Sequence, residues 1–308
     1  MSLERAQPTF SVVVATRNRP SQLGACLTAL AALQYPADCF EVIVVDDGSS
    51  GALDLVVEPF SRSLSIRLVT QPKAGPAAAR NKGADAASAT VLVFTDDDCQ
   101  PDPGWLAAFA QRLARAPEAM IGGQTLNALP RNPFSTASQQ LITYLYGYYN
   151  KRPHGGRFFC TNNLAVPARL FRAFGGFDMQ FAQPGGEDRE FCERWLARGH
   201  RMIYEPAAIV SHAHWLTLGG FLRQHFRYGR GAWRVHRLRA ERQAERSRIE
   251  PLSFYLDMLR FPFSQPEDRG GVHAALLAVS QAANASGFFW EALRHAAVRK
   301  RSAMSDEP

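Results

Sequence analysis

Short apolar, β-branched runs that stop abruptly on polar or acidic residues recur through the first hundred positions. This recurrence constrains the fold more than any other feature. "FSVVVAT" (10–16) runs into "RNRP", while "EVIVVDD" (41–47) and "TVLVFTDDD" (90–98) end in carboxylates. An uninterrupted apolar run of this length predicts a strand covered on both faces. Helical patterns lie between the runs. Ser21 is a good N-cap ahead of Leu23, Leu27 and Leu30, and "AGPAAARNKGADAA" is opened by Gly75-Pro76. "IRLVT" (66–70) adds a strand. Asp102-Pro103 offers the cap and first residue of a helix with Trp105, Leu106, Phe109 and Leu113 on one face. Such alternation predicts an α/β fold: a mostly parallel sheet flanked by helices, with a Rossmann-like nucleotide half.

Past about residue 120 the pattern changes to longer polar and aromatic segments. "GGEDREFCERWLARGH" predicts a helix with Phe191, Cys192, Trp195 and Leu196 as its buried stripe and Gly199 as its stop. From about Leu218 the chain reads as helical and basic. We expect a catalytic domain over 8–216, a C-terminal helical extension over 217–308, and a soft boundary near 215–220. The 308 residues suffice for this arrangement. Five scattered cysteines without a CxxC pair argue against a disulfide scaffold or structural zinc, and for a reducing compartment. "MSLERAQPTF" has no apolar core of a secretory signal, so the expected location is cytoplasmic. Val272 to Trp290 is apolar but interrupted by His273, Ser280, Gln281, Asn284 and Ser286, which predicts a buried or interfacial helix rather than a span.

Open parallel sheets bind ligands beyond the carboxyl ends of their strands. Asp46-Asp47 and Asp96-Asp97-Asp98 fall there. Adjacent carboxylates repel, and Mg²⁺ or Mn²⁺ shared with substrate phosphates would relieve the repulsion. A solvated acidic turn is the competing reading. Thr16, Arg17 and Asn18 leave the first strand at the same rim. Arg17 or Arg80 could meet phosphate, and loop polarity is the alternative for Arg17. Neither GxGxxG nor GxxxxGK[ST] is present. Glu187 and Asp188 either cap a helix or, on a Gly185-Gly186 hinge, deliver a base to an acceptor hydroxyl. His212 and His214 follow an apolar run, and His212 is preferred as a further metal ligand.

Taken in order, "FSVVVATRNRP", "VIVVDDGSS", "AGPAAARNKGA", "VLVFTDDDCQPDPGWL", "TNNLAV", "FGGFD" and "GGEDREFCERW" resemble the glycosyltransferase family 2 pattern on a GT-A fold, over roughly residues 10 to 215. The resemblance implies a nucleotide-diphospho-sugar donor and a divalent metal. It gives Asp47, with Asp46 beside it, a nucleobase contact, and Thr16 and Arg17 the lining of the base pocket. The chain carries Arg17 where many members carry Tyr. The Asp-x-Asp element falls on Asp96 and Asp98, with Asp98 touching metal and diphosphate. The triple Asp leaves open whether Asp96 or Asp97 shares the metal. The catalytic base falls on Asp188.

A single base agrees with inversion at the anomeric carbon, and a growing glycan or lipid-linked sugar of the cell envelope is the expected acceptor. A sugar-nucleotide pyrophosphorylase and a non-catalytic basic binding protein are the alternative functions. With 35 Lys and Arg against 28 Asp and Glu, the net charge is +7. Much of the excess lies in "FLRQHFRYGRGAWRVHRLRAERQAERSR", from Arg223 to Arg248, opposed only by Glu241 and Glu245. A packed basic helix and a peripheral membrane contact are the competing readings. Nucleic acid is disfavoured, because no helix-turn-helix, RNA-binding or zinc signature accompanies the charge.

Overall fold

The computed structural model describes residues 10–151, 155–242, 250–266 and 269–305, with side chains to residue 297. The readings made on residues 1–9, including the domain start at residue 8, and on Glu245, Arg246 and Arg248 lie outside the described residues. In chain order the elements are β1 (Phe10–Thr16), α1 (Pro20–Ala31), β2 (Phe40–Asp47), α2 (Asp54–Val57), β3 (Ile66–Gln71), α3 (Pro76–Ala86), β4 (Val91–Asp96), β5 (Cys99–Pro101), α4 (Trp105–Arg115) and β6 (Met120–Asn127). They continue with α5 (Pro133–Tyr149), β7 (Asn163–Pro167), α6 (Ala168–Ala173), α7 (Glu187–Ala197), β8 (Met202–His212), α8 (Leu218–Glu241), α9 (Leu252–Arg260) and α10 (Gly270–Ser305).

The chain forms two compact units. One holds residues up to Leu129 with Leu145–Ala182 and Asp188–His214; the other holds Pro130–Tyr144, Gln183–Glu187 and Trp215 onward.

The first unit carries an eight-stranded sheet in the order β3-β2-β1-β4-β7-β6-β8-β5. The predicted parallel half is present, with β1 between β2 and β4 and β3 outside β2. Beyond β4 the sheet is mixed. β7 runs antiparallel to both β4 and β6, β8 is parallel to β6, and β5 is antiparallel to β8. Only Asp97 and Asp98 separate β4 from β5, and β5 pairs with the last residues of β8, Cys99 opposite His212. The sheet is thereby obliged to bring the end of β8 back to the tip of β4.

Both sheet faces are buried, as the continuous apolar runs require. Val12, Val14, Val42 and Val44 pack with Leu23 and Leu27 of α1 and with Trp105 and Phe109 of α4. On the other face α3 lies so close that a Cβ at Gly83 would collide with Val13 and Val45. Helix α4 starts later than expected. Gly104 is its N-cap, and the Asp102 carboxylate instead accepts the Gly104 N–H at 3.0 Å, forming a turn ahead of Trp105. Gly199, at φ +78°, follows α7 as predicted.

Glu41 fastens the edge of the sheet away from the strand tips. It accepts Ser11 Oγ at 2.6 Å, the Ser88 N–H at 2.7 Å and the Arg67 guanidinium at 2.6 Å. Burial raises its pKa, but these donors outweigh burial and bring it from 4.5 down to about 2. A carboxylate with a depressed folded pKa stabilises fully above its unfolded pKa and loses that contribution as pH falls through the folded value. Glu41→Gln is therefore expected to cost about 2 kcal/mol at neutral pH. The deficit should shrink between pH 4.5 and 2, as read from denaturant midpoints across that range. A constant deficit at all pH values would remove the charge from this account.

In the second unit, Phe221 of α8 packs with Ala137, Leu216, Phe134 and Leu276. Helices α8 and α10 cross at glycines. A Cβ on Gly229 would collide with the Asn284 carbonyl, and one on Gly287 with the Phe226 carbonyl. No helix among the described residues is long and apolar enough to cross a membrane.

Candidate active site

Register places the tips of three parallel strands side by side, with Thr16 opposite Asp46 and Ala15 opposite Asp96. The polar endings of "VVVAT", "VIVVDD" and "VLVFTDDD" therefore share one rim. Asp46 accepts the Ser49 N–H at 2.9 Å and closes the turn after β2. Buried Asp47 accepts from the Gln71 amide and from the N–H groups of Ala74 and Gly75, at 2.8, 2.7 and 2.9 Å. It thus holds the loop between β3 and α3 against the rim. Arg17 is exposed and donates to the Gly48 carbonyl at 3.3 Å. Arg80 on α3 is buried and donates to Asp96 at 2.7 Å.

Asp97 and Asp98 form the turn between β4 and β5. Asp97 is buried and accepts Thr16 Oγ1 at 2.7 Å and Arg19 Nη1 at 2.9 Å. Burial and the neighbouring Asp98 raise its pKa to about 6 against the pull of Arg19. Asp98 is buried too. Its Oδ1 lies 3.1 Å from His212 Nε2, and its Oδ2 lies 3.2 Å from His214 Nδ1 and 3.0 Å from Arg19 Nη1. Burial opposes its charge, yet the two imidazoles and Arg19 hold its pKa well below the usual carboxylate range. Burial likewise opposes the charged form of His212, and Asp98 overcomes this and raises its pKa. The two histidine rings are stacked with centroids 5.0 Å apart.

Asp98, His212 and His214 present one ligand atom each, all within 4.8 Å of one another. One carboxylate oxygen and two imidazole nitrogens suit a divalent transition ion, and a site so compact can hold one. Asp96, expected to share the metal, is not in this group and pairs with Arg80 instead. His214 belongs to it alongside His212. The signal for His214 was present, because residues two apart at a strand end project on the same side. Arg19 joins the site as well, paired with both Asp97 and Asp98. Nothing within "ATRNRP" separates it from Arg17; only the placement of Asp97 and Asp98 does.

Asp188 lies in the first turn of α7, where its carboxylate accepts the Arg189 N–H at 2.7 Å. The adjacent Glu187 is buried and turns back to accept the Gly185 N–H at 2.8 Å, which closes the glycine turn. The two acids therefore differ: Glu187 is engaged with the glycine loop, while Asp188 accepts from the backbone of the first turn of α7. Burial raises the Cys160 pKa, the Asp188 carboxylate raises it further, and Asp96 also contributes.

Comparison with known proteins agrees with this architecture. The family described as glycosyl transferase family 2 matches residues 11–174, more than half of the chain. Glycosyltransferase AglE of Haloferax volcanii is 26% identical over 241 residues, covering 76% of this chain and 77% of that protein. Validoxylamine A glucosyltransferase of Streptomyces hygroscopicus subsp. jinggangensis is 31% identical over 220 residues, covering 62% of this chain but only 52% of the relative. Among solved structures, mannosyltransferase PcManGT of Pyrobaculum calidifontis, in complex with GDP-Man and Mn²⁺, aligns with a TM-score of 0.59 at 20% identity. That alignment covers 97% of this chain and 80% of the other. Strand order, acidic strand tips and a family match over most of the sheet converge, and the chain belongs to glycosyl transferase family 2 as a sugar-transferring enzyme of the GT-A fold.

Proposed function

We propose that this enzyme moves a sugar from a nucleotide-diphospho-sugar to an acceptor hydroxyl with inversion. In this reading residues 8–216 form the catalytic domain and 217–308 a helical extension. The observation that carries it is the meeting of Asp98, His212 and His214 at the strand tips. Relatives solved with donors support the class of substrate: PcManGT with GDP-Man, and TarS of S. aureus with UDP-GlcNAc.

Asp188 accepts the proton of the attacking hydroxyl. The acceptor oxygen bonds to the anomeric carbon from the face opposite the leaving group, and the bonding pair departs with the diphosphate oxygen. Asp47, Asp46, Thr16 and Arg17 line the nucleoside end. Arg80 holds Asp96 toward the donor, and Asp97 positions Arg19 against Asp98. Asp98, His212 and His214 would hold a divalent cation, which when bound supplies a Lewis acid for the charge developing on the diphosphate. Two imidazoles favour Mn²⁺ over Mg²⁺, which prefers oxygen ligands. The acceptor is a growing glycan or a lipid-linked sugar of the cell envelope, so work at a membrane face is part of the reading.

A panel of UDP- and GDP-sugars, screened by thermal melting with Mn²⁺, Mg²⁺ or EDTA, tests this. Ligand binding to the folded state raises the melting temperature. At least one donor is expected to do so with Mn²⁺ and not with EDTA. If every nucleotide-sugar fails in all three conditions, the reading is wrong.

A further inference from the structure

The sequence locates the membrane question in the arginine-rich segment, now α8. The structure divides that question between two helices of the second unit. Helix α8 carries six arginines against Glu241; of its apolar residues Phe221, Val235 and Leu238 are buried, while Leu218 and Leu222 at its start are exposed. A continuous exposed apolar stripe lies on α10. From Val272 to Leu293 every exposed position is apolar or small and none is charged. These positions recur with a period near 3.5 along about 30 Å of helix. The stripe ends in its largest groups, with Phe289 65%, Trp290 58% and Leu293 71% exposed.

Beside the stripe, α8 and α10 flank an open cleft of about 450 Å³. Arg223, Arg227 and Arg230 line it together with Leu222, Phe226 and Ala283. Arg230 is fixed by Glu291 at 2.6 Å and by Gln183 at 3.0 Å. Arg223 and Arg227 are exposed and have no carboxylate partner among the described residues.

We propose that this face of the second unit docks on an anionic lipid surface. The α10 stripe enters the acyl boundary, and Arg223 and Arg227 take lipid phosphates. The proposal deepens the reading of work at a membrane face by naming the surface and its partner. Charge decides between occupants. A second copy seated on the stripe would bring two arginine clusters together, and the one acid of α10 up to residue 297, Glu291, is buried and already holds Arg230 and Arg234. A neutral protein groove leaves the guanidiniums unpaired in the same way. Phosphates set at the level of an apolar boundary satisfy both features, and clustered basic residues beside an apolar helix face are drawn to anionic bilayers.

The test is flotation of the full chain with phosphatidylcholine vesicles, with and without phosphatidylglycerol. The anionic vesicles should capture at least about tenfold more protein. Capture should fall about tenfold in Phe289→Asp/Trp290→Asp and, separately, in Arg223→Glu/Arg227→Glu. Light scattering should give one mass for the wild type and both variants. Donor hydrolysis without lipid, measured on the Phe289→Asp/Trp290→Asp protein, should match wild type. It reports on the catalytic reading separately from the docking surface. Absent capture with hydrolysis intact overturns the docking surface alone. Capture unchanged by either double substitution also overturns it. A wild-type dimer split by the α10 substitutions assigns the stripe to a second copy and overturns it as well.

Discussion

Asp188→Asn should lower transfer by between about 10² and 10⁴ while donor affinity stays near wild type. The substitution keeps the shape and the acceptor oxygen at the start of α7, and it removes the site for the incoming proton. Asp188 accepts the Arg189 N–H, which an Asn oxygen can also accept, so the fold should survive. The expected loss lies in kcat, because a base acts on the reacting hydroxyl and not on the nucleotide. Glu187→Gln is the matched control. Its carboxylate accepts the Gly185 N–H, which a Gln oxygen can also accept, so both fold and turnover should stay near wild type. Single-turnover transfer and calorimetric donor binding on both variants separate the two roles. Wild-type turnover by Asp188→Asn would remove the base from the proposed mechanism.

Asp98→Asn should abolish metal-dependent nucleotide binding and cut transfer roughly a thousandfold, or about 4 kcal/mol. The argument is electrostatic. Asp98 is the anionic centre for His212, His214 and Arg19, which reach it from the end of β8 and the loop after β1. Neutralising it leaves three basic side chains around an amide, an unfavourable place for a divalent cation. Arg19 retains Asp97, so collapse of the turn is not expected. Electron paramagnetic resonance of Mn²⁺ titrated into wild type and variant reads the loss without any assay of activity. Equal Mn²⁺ affinity in the two proteins would place the cation elsewhere.

The parallel half of the sheet was legible because β1, β2 and β4 are buried on both faces and advertise it as unbroken apolar runs. Their acidic ends were legible for the same reason, since carboxylates after such runs must emerge at a common rim. The rest depends on pairing over long sequence separations. "CQP" and "NLAVP" are too short to declare themselves strands. Yet β5 is what brings His212 and His214 to Asp98, and β7 is what makes the sheet mixed. Arg19 gained its role only when Asp97 and Asp98 were found beneath it. For α10 the sequence left burial and an interfacial position open, because composition cannot separate a face turned to the core from one turned outward.

The glycine crossing of α8 and α10 has a mechanical meaning. With backbone seated on backbone at Gly229 and Gly287, the two helices cannot come closer at the crossing, and Glu291 ties them together beyond it through Arg230 and Arg234. The spacing between the backbone that carries Arg223 and Arg227 and the aromatic end of the stripe is then set by the crossing. A surface that matches it engages both features at once, and one that does not cannot be accommodated by sliding.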